Sequence, residues 1–124
     1  MPQRGVSGRR WIERANNLDR AGFRHHGPRV STVVFGDFEW DDRKAVANLR
    51  NHGVAFEEAV TALADPRAIT APDFFEVRRC ITIGLSGLLR VLFVVHTESV
   101  GGGRVRIISA RRASTVQRRR YEET

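Results

Sequence analysis

The apolar positions of the chain change their rhythm twice. Up to residue 30 they are sparse, with Trp11, Ile12, Leu18 and Phe23 set among Pro2, Gly5, Gly8, Gly22, Gly27 and Pro28. Trp11, Ala15 and Leu18 share one short helical spacing, and the remainder reads as a mobile basic arm. "STVVFGDFEW" (31–40) is rich in β-branched and aromatic residues and predicts a strand, with Gly36 as a bulge. "DDRKAVANLRNHG" (41–53) predicts a helix: Asp41 as N-cap, Asp42 at the positive end of the dipole, Gly53 as a left-handed C-cap. Ala45, Leu49 and His52 form its inward face, while Lys44, Asn48 and His52 form a polar stripe. "FEEAVTALA" (56–64) predicts a second helix, with Phe56, Val60 and Leu63 inward and Asp65-Pro66 as its stop.

After a loop, "RAITAPDFFEV" (67–77), the period becomes two. "RRCITIG" (78–84), "LLRVLFVVHT" (88–97) and "RVRIISA" (104–110) read as antiparallel strands, joined by a turn at Gly84–Gly87 and a loop, "ESVGGG". Ser114 caps a last helix, "TVQRRRYEE", docked through Val116 and Tyr121. Pairing Val95 with Ile107 and Val94 with Ile108 keeps apolar beside apolar. That register sets His96 opposite Arg106 and leaves Arg90 on the face of His96, so a histidine and several arginines converge at one end of a sheet. The pattern predicts an α+β domain at 33–124, in order strand, two helices, three strands, helix, with residues 1–32 as a basic extension.

Composition narrows the class. At 124 residues and 41% hydrophobic, the chain is one ordinary domain's worth with enough apolar surface for a core. Cys80 is the only cysteine, which excludes an internal disulfide and fits a reducing compartment. The longest apolar run, "VLFVV", is far short of the roughly 20 residues a membrane span needs. The basic start has no apolar stretch behind it of the kind a secretory signal carries, so the expected location is the cytoplasm. The net charge of +7 is unevenly distributed: residues 35–77 carry −5, whereas residues 78–121 carry ten arginines against Glu98 alone. A solvated arginine surface accounts for that bias, and so does a face that meets phosphates or an acidic protein.

There is no P-loop, dinucleotide fingerprint or HExxH motif. His25-His26, adjacent in a glycine-rich arm, read as solvated rather than as metal ligands, and no metal or cofactor is expected. The candidates for chemistry are Lys44, His52, Arg79, Arg90, His96, Arg104, Arg106, Ser109, Arg111 and Tyr121. RNA can be cleaved without a metal, because its own 2′-OH attacks the adjacent phosphate. The protein then supplies a base, an acid and positive charge. Histidine titrates near neutrality and arginine clamps phosphate bidentately, so one His with several Arg suffices for cleavage. The same set suffices merely to bind RNA, and both readings stay open on chemistry alone. His52 near a helix C-terminus also fits a simple interaction with the last carbonyls, and Arg118 to Arg120 a solvated or RNA-tracking face.

Three stretches resemble the BrnT (DUF497) family of toxins: "FEWDDRKAVANLRNHGVAFEEA" (38–59), "ITIG" (81–84), and "VVHTE" followed by "RVRIISARRAS" and "RRRYEE". The family's helix-opening lysine falls on Lys44, its His-Gly pair on His52 and Gly53, and its Ile-Ser-x-Arg motif on Ile108, Ser109 and Arg111. Ala55 stands where members often have a capping Ser or Asp, and Arg78 where an acid commonly precedes the strand arginine. The resemblance implies a RelE-like fold, two N-terminal helices packed on a small antiparallel sheet with a C-terminal helix. It also implies a translation-inhibiting ribonuclease. The implied partner is a BrnA-type antitoxin, a ribbon-helix-helix dimer that alone contacts operator DNA; a heterotetramer of two toxins on that dimer is expected. Combining this with the pattern above, His96, Arg106, Arg111, Arg104, Lys44 and His52 are the expected catalytic set. Arg79, Arg90, Ser109 and Arg119 are expected to bind RNA.

Overall fold

A computed structural model of the chain describes residues 31–98 and 103–124. The readings of the arm, its short helix, His25-His26 and the tip of the "ESVGGG" loop lie outside these residues. The elements are β1 (Thr32–Phe35), β2 (Phe38–Asp41), α1 (Asp42–His52), α2 (Phe56–Leu63), β3 (Ile69–Pro72), β4 (Arg79–Leu85), β5 (Val91–Thr97), β6 (Val105–Arg112) and α3 (Thr115–Glu122). The strands form one six-stranded sheet in the order β1-β2-β6-β5-β4-β3.

The helix boundaries follow local chemistry. The Asp41 side chain accepts the Arg43 N–H at 2.9 Å, and Gly53, at φ 70°, closes α1 by donating to the Leu49 carbonyl. α2 starts at Ala55 with no side-chain cap; its first-turn Glu57 and Glu58 supply the negative charge its dipole favours. A full capping box opens α3, where Ser114 Oγ accepts the Gln117 N–H and the Gln117 amide oxygen accepts the Ser114 N–H.

The sheet departs from expectation in three places. Gly36, at φ 65°, is not a bulge: it makes the turn of a β1–β2 hairpin, so the predicted first strand is two. β3, in a stretch predicted as loop, pairs antiparallel with β4 from Ile69↔Ile83 to Pro72↔Cys80. It is an outer strand ending in proline, a residue edges tolerate, and four residues are too few to show an alternating pattern. The sheet is not wholly antiparallel either, since β2 runs parallel to β6.

The β5–β6 pair also differs from the predicted register. Val95 lies opposite Ser109 and Val94 opposite Ala110, and between Val95 and His96 the register shifts so that His96 faces Ile107. Ile108 is the extra residue in β6. A bulge restores the apolar match by reversing which β6 residues point inward, something a constant alternation could not anticipate.

One face of the sheet carries the core: Trp40, Val54, Phe56, Ala59, Ala62, Leu92, Val94, Ile107 and Ala110. Phe56 meets Trp40 edge-on, with centroids 5.7 Å apart. Gly84 lets α2 sit close, because a Cβ there would collide with the Ala62 carbonyl oxygen. α1 contributes differently from its predicted pattern. Leu49 and Val46 are exposed, whereas Asn48 is buried and bonds to both the N–H and the C=O of Ala110. β2 pairs with β6 only at Val105 and Arg106, so Asn48 takes the place of a neighbouring strand further along.

Candidate nucleic-acid interface

The bulge decides which candidate residues meet. His96 shares the inner face with Val94 and Leu92 and lies across from Ile107, while Arg106, next along β6, points to the outer face beside Glu39 of β2. The predicted juxtaposition of His96 and Arg106 therefore fails: they are neighbours in the sheet but on opposite sides. Arg90 does not join them, because six strand residues place it about 20 Å from His96.

His96 is 8% exposed and both ring nitrogens are engaged. Nε2 lies 2.7 Å from Thr82 Oγ1, Nδ1 lies 2.8 Å from the Thr97 carbonyl oxygen, and Thr82 Oγ1 lies 2.7 Å from Thr70 Oγ1. Cys80 is the cross-strand partner of His96, with Sγ 3.6 Å from Glu98 Oε2. Thr82 is buried on β4 and meets His96 only through the β4–β5 register, and Thr70 lies on a strand in a stretch predicted as loop, so neither hydroxyl was a sequence candidate.

The outer face holds Arg106, Ser109 and Arg111 along β6. Arg106 is 4% exposed; its Nη1 donates to Glu39 Oε2 at 3.1 Å, and its backbone N–H donates to Thr97 Oγ1. The Arg111 guanidinium lies over the Phe93 ring, 4.1 Å from its centroid, and donates to Gln117 of α3. Arg106 thus leans toward β2 and Arg111 toward β5, so they do not grip a single phosphate as arranged here. They border a strip with half-buried Ser109 between them. Exposed Arg104 extends it, donating from Nε to the Gly36 carbonyl at 3.3 Å, and Arg79, opposite Thr97, lies 3.9 Å from the Asp73 carboxylate.

The remaining candidates lie elsewhere. Arg90 donates to the Glu58 carboxylate from Nε and Nη2 and to the Gly53 carbonyl, while Ser86 Oγ donates to Glu58 Oε2 at 2.7 Å. The Arg90 hydrogen bond holds the Glu58 carboxyl below the ordinary range against the opposing effect of burial, with Ser86 assisting. This group ties the β4–β5 turn to α2, a structural duty the sequence reading did not foresee. Lys44 is half-buried in the first turn of α1 and His52 exposed in its last, so the stripe they form with Asn48 is divided: its middle member serves the fold. Arg119 is exposed on α3, which Tyr121 anchors by donating to Asp65 Oδ2 at 2.5 Å.

An arginine strip crossing one face of a mixed sheet, with a histidine buried on the other, marks a small α+β domain with a basic surface. Residues 40–116 match the family described as the ribonuclease toxin BrnT of type II toxin–antitoxin systems. The chain belongs to that BrnT toxin family. Its fold is similar to that of the Brucella abortus ribonuclease toxin BrnT, known from a 1.1 Å crystal structure, with a TM-score of 0.50 and 28% identity over 61% of this chain and 94% of the other. No curated protein matches the sequence. As a type II toxin, the protein implies an antitoxin partner. Among the described residues no helix is long and apolar enough to cross a membrane, and no group of three His, Cys, Asp or Glu could hold a metal ion.

Proposed function

We propose that this protein is a metal-independent, RelE-like endoribonuclease that acts in the cytoplasm and arrests translation. The match of residues 40–116 to a ribonuclease toxin family carries this reading, and the outer strip of Arg104, Arg106, Ser109 and Arg111 suits an RNA backbone. In this reading Arg106 and Arg111 contact successive phosphates, Arg79 and Arg119 extend the track, and His96 moves the proton. Lys44 and His52 form a separate cationic wall on α1. A BrnA-type ribbon-helix-helix dimer covers the basic face with acidic groups, two toxins to a dimer, and only the antitoxin touches operator DNA. Residues 1–32 are a separable extension of the toxin domain at 33–124.

A second reading is favoured by one observation: His96 and Arg106 are both buried, both partnered and on opposite faces. On that reading the chain binds RNA or protein without cleaving. Induced expression without the partner gene separates the two. Growth arrest with RNA fragmentation supports the enzyme; normal growth with RNA intact supports the binder. Loss of toxicity in His96→Ala, by a factor on the order of 10² to 10⁴ in cleavage, supports the histidine. If His96→Ala stays fully toxic while Lys44→Ala or His52→Ala abolishes toxicity, the site lies on α1.

A further inference from the structure

We infer that Thr70, Thr82 and His96 form a directional proton relay, in which the buried imidazole is reached from the exposed edge of the sheet through two hydroxyls. The inference rests on the ribonuclease reading and names the route by which His96 takes part. It begins with donor logic. The Thr97 carbonyl oxygen can only accept, so the contact at 2.8 Å requires a proton on Nδ1 of His96. In the neutral ring Nε2 is then bare and accepts, so the Thr82 hydroxyl spends its single proton on it across 2.7 Å. Thr82 Oγ1 can therefore only accept from its other neighbour, and the Thr70 hydroxyl must donate to it at 2.7 Å. Every proton in the chain points inward, and the lone pairs left over belong to Thr70, an exposed residue on the edge strand β3.

This polarity suits proton uptake. A proton leaving the 2′-OH of a nucleotide that rounds the β3 edge from the outer strip adds to Thr70 Oγ1, the proton of Thr70 passes to Thr82, and that of Thr82 passes to Nε2. The imidazolium that results keeps Nδ1–H on the Thr97 carbonyl and now donates from Nε2 to Thr82, so no bond is lost and the charge gained by the ring equals the proton lost by the substrate. The carbonyl fixes the tautomer as a carboxylate does in other hydroxyl–histidine pairs. Among the described residues, Cys80 and Glu98 are titratable neighbours on this face. Thr70 takes the substrate proton itself, and Thr82 is a positioning residue that acts through His96.

Long-range proton–nitrogen spectra of the imidazoles in the full-length chain test the direction. The neutral His96 ring should carry its proton on Nδ1, and a proton on Nε2 overturns the relay. Steady-state cleavage of an RNA oligonucleotide then tests its use. Thr70→Val, at an exposed position, should leave the tautomer and KM unchanged and lower kcat about 10²-fold, the lower end of the loss of a proton-transfer group. Thr70→Ser should restore kcat. In mixtures of light and heavy water the wild-type rate should fall along a curve, several protons moving together, and the valine variant along a line. Wild-type kcat in Thr70→Val, or failure of serine to rescue, overturns the relay with the ribonuclease reading intact. A wild-type chain that cleaves no RNA overturns both.

Discussion

Asn48→Ala is the sharpest test of how the sheet is held. The Asn48 amide donates to the Ala110 carbonyl at 2.8 Å and the Val54 carbonyl at 2.9 Å, and its oxygen accepts the Ala110 N–H at 3.1 Å. Alanine at this site, only 7% exposed, leaves three backbone groups without partners and little room for water to replace them. At about 1 kcal/mol net for each bond, the expected loss is about 3 kcal/mol. With a urea slope of about 1.5 kcal/mol per molar, the unfolding midpoint should fall by about 2 M. The thermal midpoint should drop by roughly 10–15 °C. Asn48→Asp keeps the shape but sets a carboxylate against two carbonyls and should cost at least as much. Such a carboxyl has its folded pKa raised, so this variant should be most stable below the ordinary carboxyl range and lose stability as pH rises. A loss under about 1 kcal/mol in Asn48→Ala, measured by urea denaturation, would show that the β6 edge does not depend on this side chain.

Gly84→Ala, which drives a methyl group into the Ala62 carbonyl, should destabilise by about 1–3 kcal/mol by the same assay. Tyr121→Phe removes the bond to Asp65 and should speed amide hydrogen exchange across 115–124 more than in the sheet. Burial of Asp65 raises its pKa, but bonds from Tyr121 and from the Leu85 and Arg67 N–H groups outweigh it and the net shift is downward. Its stabilising effect is thus present above the unfolded carboxyl value and lost as pH falls through the folded one; Glu58 behaves alike, and Glu58→Gln should flatten the acid limb of a stability–pH curve. Arg111→Ala should weaken RNA binding and reduce the slope of log affinity against log salt by about one, whereas unchanged salt dependence would remove Arg111 from the interface.

The boundaries of α1, α2 and α3 and the alternation of β4 and β5 could be read directly, because a cap or a period of two is chemistry between near neighbours in the chain. Asp41, Gly53 and Ser114 act within four residues of themselves. The basic second half and the family stretches were legible for the same reason, as they need only residue type and order. What the sequence could not convey is whatever depends on a partner far along the chain. A one-residue bulge at Ile108 reversed the faces of β6 and separated His96 from Arg106. Asn48 read as part of a polar stripe, yet it is buried because β6 needed a hydrogen-bonding neighbour beyond β2. Arg90 looked like one more cation on the sheet until Glu58, 32 residues away, appeared beside it. Thr70 carried no signal at all, since a short edge strand shows itself only when β4 is there to pair with it. The local pattern fixes the helices and the long inner strands; only the tertiary register decides which short strands join them and which face each side chain meets, because alternation is relative and a single inserted residue inverts it.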